Sequence, residues 1–147
     1  MNPHLKRLSY DVLARMADNI LEGAGYLDQY PVDVIKWLEV DLGIEVHPYP
    51  GLKRQHQVEG FLGAGLKTLT IDHDLYFEDH FLNRCRFTFA HELAHFYLHR
   101  SLYESADFGD IGQYLTFRET ISDEDLKWFE WQGYSLGGLL LVPRSRL

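Results

Sequence analysis

The chain reads as an α+β fold, with a small sheet of about three strands packed on helices. Three observations predict it. Apolar residues recur at helical spacing near both ends of the chain. Three short strand-like runs cluster between residues 44 and 71, separated by Gly and Pro. At 147 residues with 46% hydrophobic and 24% charged residues, the chain has the balance of one globular domain spanning 1–147.

The elements follow in order. Leu8, Val12, Leu13, Met16, Ile20 and Leu21 lie on one face of a first helix, with Ser9 or Asp11 to cap it and Gly23 and Gly25 to stop it. Pro31-Val32-Asp33 opens a second helix carrying Val34, Ile35, Leu38 and Leu42, ending at Gly43. Ile44 to His47 reads as a strand closed by Pro48 and Pro50. Gln57 to Leu62 and Leu66 to Ile71 read as two more, joined by a Gly63-Ala64-Gly65 hairpin turn. His73 to Leu82 is expected as a loop, and about Asn83 to Arg100 as a helix. Ser101 to Thr120 shows no sustained period and is expected as a surface connection, longer than usual, that forms a lid or holds local structure the pattern does not show. Ser122-Asp123-Glu124-Asp125 resembles a capping box and starts a last helix running toward Pro143.

Charge and cysteine content narrow the function. A formal charge of -8, with no Lys/Arg run, argues against direct nucleic-acid binding, which depends on neutralising phosphates. The single cysteine, Cys85, cannot form an intrachain disulfide, which suits a reducing compartment. Met1 to Tyr10 lacks an apolar signal core, and the longest apolar stretch, Leu136 to Val142, is too short to cross a bilayer. The expectation is a cytoplasmic protein without a membrane partner.

Residues 91–95 read His-Glu-Leu-Ala-His. On a helix, positions i and i+4 share a face, so the His91 and His95 imidazoles can reach one metal ion. Glu92 is rotated about 100° from His91, off the ligand stripe but within reach of a water on the metal. This is the pattern of metal-assisted hydrolysis with Glu92 as general base. The alternative is a helix whose two histidines are merely packed or exposed. Phe87, Ala90, Ala94 and Leu98 fit a helix buried beside a core, and the two alanines leave room for a close neighbour. His99 continues the series, but at about 12 Å from His91 along the axis it is too far to share the ion, and is expected in the core or behind the ligands.

A catalytic zinc commonly takes three protein ligands. Downstream acids are Glu104, Asp107, Asp110, Glu119, Asp123, Glu124 and Glu130. Glu130 is favoured because it stands in the apolar run Trp128-Phe129-Glu130-Trp131, with Gly133 and Gly137 on the same helical face to allow close approach. The other acids stay open on spacing alone. So does the metal: zinc suits a His, His, carboxylate set, and manganese or iron can bind a similar one.

The segment Arg86-Phe87-Thr88-Phe89-Ala90-His91-Glu92-Leu93-Ala94-His95-Phe96-Tyr97-Leu98-His99 resembles the ImmA/IrrE family of metallopeptidases. Pro31-Val32-Asp33-Val34, Leu42-Gly43-Ile44-Glu45-Val46, and Gly60-Phe61 leading to Leu69-Thr70-Ile71-Asp72 are similar as well. Glu130 precedes Leu140-Leu141-Val142-Pro143 at the family's spacing. The resemblance implies a compact zincin-like domain with one zinc ion per chain held by His91, His95 and Glu130, and Glu92 as general base. It implies an edge strand beside the cleft, able to pair with an extended substrate. It also implies a protein substrate, expected to be a helix-turn-helix repressor in phage-like, mobile-element or stress regulation. The alternative is a binding module that keeps the metal site but docks without cutting, as an anti-repressor or toxin-antitoxin component. Gly133-Tyr134 replaces the family's Ala-Asn, which leaves any hydrogen bond from that Asn without its donor; Tyr134, at i+4 from Glu130, is expected as a packed tyrosine or a hydroxyl at the metal. The chain stops at Leu147, just past the Pro motif, where relatives continue, so a short form or a core fragment is expected.

Overall fold

The computed structural model describes residues 5–105 and 108–144. Its first helix, α1 (Tyr10–Ala24), starts where the Ser9 hydroxyl accepts the Val12 amide at 3.3 Å. It stops at Gly25, whose positive φ of 83° makes a left-handed cap. The second helix is shorter than the expected Pro31–Gly43. The Asp33 carboxylate caps α2 (Val34–Lys36), which loosens into a π-type turn over Trp37–Asp41.

The sheet is mixed, in the order β1-β3-β2. Strand β1 (Glu45–Tyr49) runs parallel to the central β3 (Thr68–Asp72), and β2 (Gly60–Gly63) runs antiparallel to it. The expected hairpin joins β2 to β3 through a 3₁₀ turn at Ala64–Leu66, where Gly65 and Leu66 both have positive φ. Residues 52–56, which carry no strand or helix pattern in the sequence, form a short helix α3 (Leu52–His56), and the β2 strand begins at Gly60 rather than Gln57.

Two segments expected as loops are helical. Asp72 ends β3 and at once caps α4 (His73–Phe77), its carboxylate accepting the Leu75 amide at 3.2 Å and the Lys53 amide at 3.0 Å. A 3₁₀ turn at Asp79–Phe81 follows. The stretch expected as a surface connection or lid contains α6 (Arg100–Ser105) and α7 (Ile111–Glu119), the latter capped by Asp110. It is built into the core by its rings. Tyr114 stacks on Phe61 at 4.5 Å, and Phe108 packs on Phe117 at 4.9 Å and on Tyr103 at 5.9 Å. Aromatic pairing replaces the helical periodicity that the sequence lacks there.

Between them lies α5 (Leu82–Leu98), which carries the His-Glu-Leu-Ala-His motif. It is buried on most of its circumference, with Phe89, Ala90, Leu93 and Ala94 sealed from solvent. The last helix, α8 (Asp123–Leu141), begins at the expected Ser122 cap and packs along α5 on one side and α1 on the other. No helix among the described residues is long and apolar enough to cross a membrane.

Because α5 is the centre of the core, shortening its inward side chains leaves a hole that neighbours on several elements cannot close. Leu93→Ala is expected to lower the unfolding free energy by about 2–5 kcal/mol, seen as a lower urea midpoint. An unchanged midpoint would mean that this helix is not the packing centre.

Candidate metal centre

The motif helix brings its two imidazoles together as the spacing predicts. His91 Nε2 and His95 Nε2 are 2.8 Å apart. Glu130 comes from α8, with a carboxylate oxygen 3.5 Å from His95 Nε2 and 4.0 Å from His91 Nε2. All three donor atoms lie within 4.8 Å of one another. Ligands at about 2.05 Å from a tetrahedral ion stand about 3.3 Å apart, and the three observed separations bracket that value. Two imidazole nitrogens and a carboxylate, with one side left to a cleft, fit a divalent ion.

The approach of α8 depends on Gly133. A Cβ there would sit 2.8 Å from His91 Cδ2 and Nε2 and from His95 Cε1. One turn on, a Cβ at Gly137 would meet the Ala90 backbone at 3.1 Å. The remaining acids are elsewhere. Asp110 caps α7, Glu104 pairs with Arg100 at 3.2 Å, and Glu124 pairs with Arg7 at 3.0 Å. Glu119 and Asp123 are exposed, and Asp107 lies outside the described residues. His99 is not in the donor set; it sits behind His95 in the core.

Glu92 is buried, 5% exposed, beside this group. Its Oε2 accepts the backbone N–H of Leu62 on β2 at 3.3 Å. Burial first, and then the neighbouring Glu130 charge, push its carboxyl well above the usual carboxylate range, against the Leu62 hydrogen bond. The histidines move the other way. Burial and the facing His95 push His91 down to about 3, against the pull of Glu130. Burial likewise holds His95 well below the usual imidazole range and lowers His99. The imidazoles are therefore neutral near pH 7, as metal ligation requires.

A cleft opens over His91, Glu92 and Glu130. One wall is the chain entering β2, including Glu59 and Gly60, and the other is Glu130 and Tyr134 of α8. Tyr134, about half exposed, lies over His91 at 4.2 Å between ring centres and stacks on Phe87 at 5.8 Å, so its ring is held at the rim of the cleft. The wall at β2 is held by Glu59, which takes Arg84 Nε at 2.9 and 2.8 Å and the Thr88 hydroxyl at 3.0 Å. Tyr114 and Arg118 of α7 complete the lining, the Arg118 guanidinium lying 5.9 Å from the Tyr114 ring centre.

Arg118, Tyr114, the Arg84–Glu59 pair and the Leu62 amide were not foreseen in the sequence. Tyr114, Phe117 and Arg118 do have helical i, i+3, i+4 spacing, but in a nine-residue helix too short to show a period. Comparison with protein-family models, curated protein sequences and solved structures gives no match to this chain.

Two expectations follow. Gly133→Ala drives a methyl into both imidazoles and is expected to weaken zinc binding by about tenfold or more while circular dichroism stays helical. Gly138→Ala, where a Cβ meets nothing within 4 Å, is the control. It is expected to leave zinc binding unchanged and to add up to about 1 kcal/mol of stability. Equal zinc affinities for wild type and Gly133→Ala would mean that the approach does not shape the site.

The second concerns pH in the metal-free chain. Unfolded imidazoles take up protons near pH 6.5, whereas His91 in the folded chain does so only near pH 3. The unfolded state then binds more protons in that window, so stability falls as pH falls. His95 and His99 act in the same direction; Glu92, with its raised pKa, acts in the opposite one. With three histidines against one carboxyl, the melting midpoint is expected to be lower at about pH 5 than at about pH 7. A midpoint that rises on acidification would contradict the neutral, buried imidazoles.

Proposed function

We propose that the chain is a metal-dependent endopeptidase with one zinc ion held by His91, His95 and Glu130, and Glu92 as its general base. The observation that carries this reading is the convergence of those three donors within 4.8 Å beside a buried carboxylate, with His91, Glu92 and Glu130 lining a cleft. Zinc is the ion that best suits two imidazoles and one carboxylate. When bound there, it supplies a Lewis acid that lowers the pKa of water and polarises a carbonyl. Glu92 takes the proton from the attacking water and returns it to the leaving nitrogen. Arg118, which makes no ion pair among the described residues, is the cation of the lining that meets negative charge developing on the carbonyl oxygen.

The strand beside the cleft supports a peptide substrate. The Asp72 N–H donates to the Glu59 carbonyl at 2.8 Å, so alternate residues Glu59, Phe61 and Gly63 turn their backbone groups toward β3. Gly60 and Leu62 turn theirs outward, as the Leu62–Glu92 bond also requires. Leu62 already donates its N–H to Glu92, so an extended chain would pair with that edge at Gly60, the partly exposed start of β2, and lie beside Glu92. The resemblance to ImmA/IrrE peptidases supports a helix-turn-helix repressor as the protein cleaved, and the lone buried thiol of Cys85 supports a reducing, cytoplasmic setting.

The test is incubation of the zinc-loaded protein with candidate helix-turn-helix repressors, taken first from genes next to its own, followed by mass spectrometry of the products. Glu92→Gln is expected to bind zinc normally and to lose cleavage by about 10²–10⁴-fold. Arg118→Ala is expected to lower kcat by about 10²-fold with a smaller change in KM. Cleavage at the wild-type rate by Glu92→Gln would remove the mechanism. An intact repressor in a stable complex with the zinc-bound protein would make the chain a docking module instead.

A further inference from the structure

Behind the donor set, on the side away from the cleft, four groups form a continuous line. His95 Nδ1 is 2.8 Å from His99 Nδ1. His99 Nε2 is 3.0 Å from Gln132 Oε1. Gln132 Nε2 is 2.6 Å from the carbonyl oxygen of Lys6, in the segment before α1. His95, His99 and Gln132 are each no more than 3% exposed, so water does not offer them substitutes.

We propose that the Lys6 carbonyl, Gln132 and His99 are positioning groups that fix His95 in the tautomer whose Nε2 lone pair faces His91 and Glu130. The inference rests on the reading of His91, His95 and Glu130 as a metal site, but not on peptide cleavage.

The direction of the line follows from its far end. A backbone carbonyl can only accept, so Gln132 must present its NH₂ to Lys6 and its oxygen to His99. That oxygen can only accept, so the neutral His99 ring carries its proton on Nε2. His99 Nδ1 is then an acceptor, and His95 must donate to it from Nδ1. His95 Nε2 is left with a bare lone pair. Each step allows one choice, and the last puts a ligating nitrogen where the other two donors converge.

The same reasoning reaches His91. His91 Nε2 lies 2.8 Å from a His95 Nε2 that carries no proton, so a neutral His91 donates from Nε2 when no ion intervenes. Metal binding then needs a tautomer change at His91 alone, with its proton passing to Nδ1. The two histidines of the motif are therefore unequal. His95 is set for the ion in advance, and His91 is held by one hydrogen bond that the ion replaces.

Gln132 also explains why the line closes from three elements. It stands two residues after Glu130 on α8, rotated to the other side of the helix. Glu130 thus meets the front of the imidazole pair while Gln132 holds its back, and Lys6 ties the N-terminal segment to both.

The test uses long-range ¹H–¹⁵N correlation spectra, which report which ring nitrogen carries the proton, on the metal-free wild-type protein. Expected are Nδ1–H for His95 and Nε2–H for His99 and His91, with only His91 changing on zinc addition. Nε2–H at His95 in the metal-free protein would overturn the proposal without variants and without any assay of cleavage. Gln132→Leu, or Gln132→Met if the first fails to fold, removes the line. Either is expected to mix the His95 tautomers and to weaken zinc binding by about 10–100-fold. A folded variant with the wild-type His95 tautomer and wild-type zinc affinity would equally overturn it. If the repressor is never cleaved but the tautomers are as expected, the peptidase reading fails and this one stands.

Discussion

Everything at the site depends on how closely α8 lies against α5. The contact is made of glycine on one side and alanine or imidazole on the other. Gly133 faces both histidine rings and Gly137 faces the Ala90 backbone, each with less room than a methyl group needs. Three glycines in the interior of one helix cost about 1 kcal/mol apiece in helix propensity. That cost is offset by burying α8 between α5 and α1, where Phe129, Leu136 and Leu140 are sealed from solvent. The close approach is what carries the Glu130 carboxylate, on a short tether, to nitrogens on a different helix.

This packing places polar side chains deep in an apolar core, which is stable only when each finds a partner. Along α5, Thr88 bonds Glu59, Glu92 takes the Leu62 amide, His95 lies between His91 and His99, and His99 reaches Gln132. The helix is therefore tied through polar contacts to β2 on one side and to α8 on the other. The buried atoms without a partner among the described residues are Asp18 Oδ1 and the Tyr103 hydroxyl, neither of them in the donor set. Folding and site assembly become one event, because the bonds that satisfy the core also orient the imidazole and carboxylate donors.

What the sequence disclosed divides along the same line. His91, His95 and Glu92 were legible because a helix fixes i, i+1 and i+4 by its own geometry. Glu130 was legible through Gly133 and Gly137, since small residues at those offsets have meaning only if another helix comes close. The long helices α1, α5 and α8 showed their period and their Ser9 and Ser122 caps. The short helices α3, α4, α6 and α7 did not, being too brief for a period to accumulate. Asp72 looked like the end of a strand and proved to be both that and a helix cap. In the segment taken for a lid, Tyr103, Phe108 and Tyr114 are buried through ring contacts with Phe61, Phe117 and Phe129, which no local pattern encodes. Arg118 reached the cleft on that same helix, so missing α7 meant missing the cation.

The electrostatics add a further consequence to the reading as a metal site. Two carboxyl groups, Glu92 and Glu130, share a cleft floor with imidazoles that burial keeps uncharged. Without a cation, burial and the Glu130 charge favour the protonated form of Glu92, and a protonated carboxyl cannot take a proton from water. A divalent ion held by His91, His95 and Glu130 would reverse the field at Glu92, since it would offset the Glu130 charge and attract the carboxylate form. The Leu62 amide, already donating to Glu92, favours that form too. In the proposed peptidase, the ion would create the basic form of Glu92 rather than merely accompany it. The burial that raises the Glu92 pKa would also strengthen the effect of a bound ion on it, because both act through a low dielectric.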